Sequence, residues 1–196
     1  MPNWNLRTNA NLYTFSGRAA WPEGAPTVQD IAIALSREGR YAGAGIRWWP
    51  VVLHTFVVCD LLPNKLKLHG LLHDAPEAIT GDIPKPVKIV EMEDLENKIL
   101  SRIYSTFELV LPTSEEHLLI KEADRLALCG EVYTVGTQAL QQIYPRYPEA
   151  EDLVMKYLVE FPPLECLTPD GRAPIEFIRR FRRYSEMLKE WLVQQG

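Results

Sequence analysis

Apolar residues recur along this chain at helical intervals, and turn-forming residues divide them into successive helices. Val28, Ile31, Ala32 and Leu35 mark the first, with Thr27 placed to cap it, Asp30 in its first turn and an end near Arg37 or Glu38. Pro50 suits the opening turn of the second, whose apolar surface is Val51, Val52, Phe56, Val57, Leu61 and Leu62. A third is predicted over 64–73. A long fourth over 91–110 carries Leu95, Ile99, Ile103 and Phe107 and is stopped by Pro112. Thr113 or Ser114 then caps a helix running through Leu118, Ala123, Ala127 and Cys129. Residues 149–161 form another. Pro162, Pro163, Pro169 and Gly171 predict a loop, and Pro174 opens a last helix with Ile178, Phe181 and Leu188 on one face. Its other face, Arg179, Arg180, Arg182 and Arg183, reads as solvated. The expected architecture is all-α: one compact multi-helix domain over 1–196, with its core at 27–160 and the helix 174–195 packed on it. A short β-ribbon pairing 13–15 with 19–21 is expected ahead of it.

Composition narrows the class of partner. With 46% hydrophobic and 24% charged residues, the chain has the make-up of an ordinary globular domain. A net charge of −5 argues against a basic surface for polymeric nucleic acid, while leaving room for a single nucleotide held by a few cations. No apolar run reaches the roughly 18 residues of a membrane span, and the first residues lack a signal pattern, so a cytoplasmic protein with no membrane partner is expected. Cys59, Cys129 and Cys166 are odd in number and widely spaced, which suits reduced thiols packed in a core. The aromatic and arginine content of the last helix points to a homodimer.

The chemistry gathers in residues 71–88, which place His73, Asp74, Glu77, Asp82, Lys85 and Lys88 in a turn-rich stretch after a leucine-rich run. Ionisable groups at the edge of a core are costly unless paired or metal-bound. At a helix end, where the backbone turns, the adjacent His73 and Asp74 can converge on one ion. Two further polar groups, His54 and Asp124, lie within apolar helices. Together these make a mixed nitrogen and oxygen donor set, suited to one divalent Co, Mn, Fe, Ni or Zn, with Mg also admitted. Between the first two helices, residues 39–49 alternate glycine with Arg40, Tyr41, Arg47, Trp48 and Trp49. Two readings of that loop stand side by side: a pocket for a base or phosphate, or tryptophans that cap the core.

The order His54, His73-Asp74, Asp124 resembles the HD-domain metal-dependent phosphohydrolase superfamily. Within it, the stretch from His73 to Lys88 is similar to the bacterial and phage 5′-deoxynucleotidase branch, whose segment reads His-Asp-Ala-x-Glu-x-x-x-x-Asp-x-Pro-x-Pro-x-Lys. The Tyr-Thr-Phe-Ser-Gly and Arg40-Tyr41-x-Gly43 elements resemble a prophage-type subgroup, so that the likeness spans 12–135. It implies His54, His73, Asp74 and Asp124 as metal ligands, Glu77 orienting or deprotonating the attacking water, and Asp82 contacting the sugar or assisting proton transfer. It also implies Lys88 with Lys85 neutralising phosphate, and Arg40 with Tyr41 in the nucleotide pocket. The chain departs from the subgroup at Pro50-Val51-Val52-Leu53, where Ser-Val-Ala-Gln is usual, and at Ala44, where a histidine is common. A pocket of Trp48, Trp49 and Leu53 would then favour an apolar-faced base such as a purine.

Three functions remain open from these residues. The first is phosphate release from deoxynucleoside monophosphates. The second is attack by the same centre on deoxynucleoside triphosphates, and the third is a nucleotide-binding module without catalysis. The spacing of His69 and His73 also admits a zinc clamp, but Gly70 stands where a metalloprotease needs glutamate.

Overall fold

The second helix, α2 (Val51–Leu61), is buried on every side from Val51 to Cys59, as a sequence apolar but for His54 and Thr55 requires. It sits at the centre of the computed structural model, which describes residues 12–13, 19–21, 24–168 and 170–195. Around it pack α1 (Val28–Arg37), α3 (Lys67–Leu72), α6 (Ser114–Thr134), α8 (Pro148–Glu160) and α10 (Arg172–Gln195). Shorter helices α4 (Glu77–Thr80), α7 (Gln138–Gln141) and α9 (Pro163–Leu167) join them, and α5 (Val90–Thr106) adds Ile99, Ile103 and Tyr104 to the core. The fold is all-α. One apolar cluster runs from Ile31 through α2 and α6 to Tyr184 on α10.

Caps hold the helix starts where the sequence put them. Thr27 accepts from the Asp30 amide while Asp30 accepts from the Thr27 amide, and Thr113 and Glu116 repeat the arrangement at the head of α6. The α6–α8 crossing is close: a Cβ on Gly130 would lie 2.6 Å from the backbone carbonyl carbon of Ala150. Ahead of the helices, strands β1 (Leu12–Tyr13) and β2 (Ala19–Trp21) pair antiparallel, so the ribbon is present with its first strand starting one residue early. Thr14 and Phe15 lie outside the described residues.

Three expectations need correction. The predicted loop after Pro162 contains α9, because two prolines suit a helix's N-terminal turn as well as a loop. The predicted helix over 64–73 is a 3-10 turn at Asn64–Leu66 followed by α3, which stops at Leu72. The arginine face of α10 is not all solvated. Arg180 is buried, donating to Glu176 Oε1 at 2.9 Å, to Asp60 Oδ1 at 3.3 Å and to the Tyr157 hydroxyl at 2.6 Å. Its guanidinium also lies 4.3 Å from the centre of the Phe56 ring. Among the described residues no helix is long and apolar enough to cross a membrane.

Candidate metal centre

Three elements bring the predicted ligands together. His54 projects from the middle of α2, His73 and Asp74 occupy the turn between α3 and α4, and Asp124 lies on α6. His54 Nε2 is 3.1 Å from Asp124 Oδ1 and 3.6 Å from Asp74 Oδ2, and His73 Nε2 is 3.1 Å from Asp74 Oδ2. Donor atoms of His54, His73 and Asp124 all fall within 4.8 Å of one another. Donors placed about 2.0–2.2 Å from one ion have this order of mutual separation.

The tautomers agree with ligation. The carbonyl of Gly70 can only accept, so the proton of His73 sits on Nδ1, 2.7 Å away. His54 Nδ1 donates to Glu131 Oε1 at 2.5 Å. Each ring therefore turns Nε2 inward, where both atoms are buried and face carboxylate oxygens at 3.1 Å without a well-aligned hydrogen bond. In the metal-free protein a proton on Nε2 would face these carboxylates, and a divalent cation can take its place. The donor set fits a divalent transition metal.

The electrostatics of the four groups are mutual. Burial lowers the pKa of His54, as does Arg40, but Glu131 and Asp124 outweigh them and raise it to about 10. Burial works against ionised Asp74, yet His73 and His54 hold it down to about 2, and His54 holds Asp124 well below the carboxylate range. Burial, reinforced by Asp74 and Asp82, pushes Glu77 up to about 10. Glu77 Oε2 is buried and unpartnered.

Glu131 is the residue sequence reasoning missed. It is fully buried on α6 and accepts from His54, from Arg40 Nε at 3.0 Å and from the Tyr41 hydroxyl at 2.6 Å. A signal was present: it stands in the apolar run Ala127-Leu128-Cys129-Gly130-Glu131-Val132, two helical turns past Asp124 and on the same face. Arg40 and Tyr41 accordingly turn inward to Glu131, with Arg40 Nη1 3.8 Å from Asp74 Oδ2. Their delivery strains the backbone. Tyr41 and Ala42 adopt left-handed φ of 60° and 51°, a conformation costing roughly 1 kcal/mol or more per non-glycine residue. Backbone bonds from Arg40 to Trp49 and from Ile46 to Val135 pin the loop.

A cleft of about 690 Å³ opens beside the centre, lined by His73, Asp74, Glu77, Lys85, Lys88 and Asp124 among others. Arg40, Tyr41, Trp48 and Asp82 are not among the residues lining it. Asp82 instead lies where its amide donates to Glu38 Oε1 at 3.2 Å. Trp49 and Leu53 are buried in the core, so they do not form the open purine pocket expected of them, and core capping is the reading that holds for Trp49. Trp48 is half-buried, its ring against Gly39 and its indole nitrogen unpartnered. Lys88 pairs with Glu96 at 2.5 Å, whereas Lys85 is exposed. His69 is not in the donor cluster, which among the described residues is His54, His73 and Asp124; its Nδ1 lies 2.9 Å from the Tyr104 hydroxyl, and the rings stack. Arg125 pairs with Glu122, leaving Asp124 to the histidines.

No family model matches the chain. It is 29% identical over 184 residues to a protein of Escherichia coli (strain K12) described as uncharacterized protein YfdR, covering 91% of this chain and 97% of that one. The likeness extends over nearly the whole of both chains.

Proposed function

We propose that this protein is a metal-dependent phosphohydrolase of the HD-domain type, acting in the cytoplasm on deoxynucleotides, with deoxynucleoside monophosphates as its substrates. The observation that carries the reading is the convergence of two buried Nε2 atoms, of His54 and His73, on the carboxylates of Asp74 and Asp124. These four residues would hold one divalent Co, Mn, Fe, Ni, Zn or Mg ion. The ion would supply Lewis acidity toward a phosphate oxygen and toward the water that attacks it.

The chain's own groups divide the remaining work. Glu131 fixes the His54 ring, and the Gly70 carbonyl fixes that of His73, so that both present the same nitrogen. Glu77 lines the cleft beside Asp74, and its Oε2 is free to take a proton from water and return it to the departing oxygen. Its raised pKa keeps it protonated at neutral pH until a nearby cation opposes the push of Asp74 and Asp82. The α2 and α3 core behind the centre excludes bulk water from one side of it.

The test is phosphate release by the metal-loaded chain from a panel of deoxynucleoside mono- and triphosphates. Turnover of monophosphates supports the reading. Turnover of triphosphates alone transfers the centre to the second substrate class, and binding without turnover under any metal leaves a non-catalytic nucleotide module.

A further inference from the structure

Four side chains of the cleft carry a full positive charge, and the structure separates them into two kinds. Lys88 is held by Glu96 at 2.5 Å, and Arg125 by Glu122, whose two oxygens accept from Nε and Nη2 at 2.8 and 2.6 Å. Lys85 and Lys121 have no carboxylate partner among the described residues. They stand on different elements. Lys85 begins the 3-10 turn Lys85–Val87, while Lys121 lies on α6 one turn before Asp124.

We propose that Lys121 is a phosphate-binding residue of this cleft, closing on the phosphate of a monoester dianion together with Lys85. The assignment rests on the metal-centre reading above.

The charge balance favours such a residue. Asp74 and Asp124 together offset a divalent cation, and Arg40 offsets Glu131, so the centre as a whole presents little net charge to an incoming dianion. The pairs Lys88–Glu96 and Arg125–Glu122 are internally neutral as well. Glu77 and the exposed Glu93 on α5 also face the cleft and oppose an anion. Beside the ion itself, the positive charge that can meet the phosphate therefore comes from Lys85 and Lys121.

The backbone supports the placement. Lys121, Asp124, Arg125 and Leu128 follow the i, i+3, i+4, i+7 spacing of one helical face, and all four line the cleft. Lys121 is thus carried on the same rigid helix as a candidate metal ligand, one turn away, and its flexible four-carbon stem spans that interval. A lysine serving only to solvate α6 would have no influence on phosphate.

The experiment is calorimetric titration of inorganic phosphate into the metal-loaded wild-type chain, Lys121→Ala, Lys121→Arg and, as a control on the exposed outer part of α5, Lys98→Ala. Metal content is measured in every sample. Lys121→Ala is expected to raise the phosphate Kd by roughly tenfold, the size of one charge-assisted contact, with metal content unchanged. Lys121→Arg retains binding within about threefold because the charge is kept. Lys98→Ala matches the wild type. Phosphate affinity in Lys121→Ala within about twofold of wild type overturns the proposal, as does a metal-loaded wild type that binds no phosphate. Loss of phosphate binding in Lys121→Ala, in a protein that hydrolyses no nucleotide, upholds Lys121 and overturns the phosphohydrolase reading alone.

Discussion

Glu131 Oε1 lies 2.5 Å from His54 Nδ1, and both side chains are wholly removed from solvent. The bond determines which nitrogen His54 can offer, and it connects α6 to α2 behind the centre. Because Arg40 and Tyr41 donate to the other oxygen, the same carboxylate also anchors the strained loop at residues 40–43.

Replacing Glu131 with Gln should therefore weaken metal binding without removing a ligand. Loss of the partner that orients a ligating histidine costs on the order of 10- to 100-fold in affinity. Chelator competition on the purified variant measures it, and an affinity equal to wild type would show that His54 is oriented by something else.

The pKa shifts predict a pH dependence with a definite sign. In the metal-free chain His54, raised from 6.5 to about 10, contributes stability that is complete below pH 6.5 and is lost as the pH rises through that interval. Burial works against ionised Glu131, yet Arg40 and His54 depress it from 4.5 to about 2, so its contribution is present above pH 4.5 and lost as the pH falls toward 2. Denaturant unfolding of the metal-free chain should accordingly show lower stability at about pH 9 than at about pH 5.5, with acid loss below 4.5. Metal affinity should move the opposite way between those two conditions, tightening with pH, since ligation at Nε2 displaces a proton. A flat affinity across that range would contradict ligation by His54.

Arg180 ties α10 to α2 and α8 through Asp60, Tyr157 and Glu176. Removing one member of a buried ion pair leaves an uncompensated charge and costs about 3–5 kcal/mol. Arg180→Ala should lower the unfolding free energy by that order while metal content in the folded fraction stays unchanged. A loss below about 1 kcal/mol would mean that the network is solvated.

Gly130→Ala tests the α6–α8 crossing. The added carbon would meet the Ala150 backbone at 2.6 Å, and a backbone cannot swing aside as a side chain does. Separating the two helices is expected to cost about 1–3 kcal/mol, read as a fall in Tm, and to loosen Glu131 next to it. An unchanged Tm would show that the crossing has room.

How much of this was legible in the sequence varies with the physics of each feature. Helix starts at Thr27 and Thr113 were readable because capping is a local interaction between residues three apart. The four candidate ligands were readable because each is a polar group in an apolar setting. Glu131 carries the same mark, but its partners come from elements far away in sequence, which no local rule reaches. Arg180 was misassigned for a related reason: periodicity placed it among exposed arginines, whereas Asp60, 120 positions earlier, draws it inward. Lys88 and Glu96 show a related limit, because their ion pair forms across a turn that no helical spacing describes. Local rules reached the helices and their caps, and long-range pairing decided the roles.

Metal stoichiometry is the most direct test of a shared centre. Elemental analysis of the protein after loading and desalting should find one divalent ion per chain in the wild type and in Glu77→Ala, with the latter losing turnover. Asp74→Ala and Asp124→Ala should each lose the ion while remaining folded by circular dichroism. Retention of a full equivalent of metal by folded Asp74→Ala and Asp124→Ala would contradict the assignment of these residues to one site.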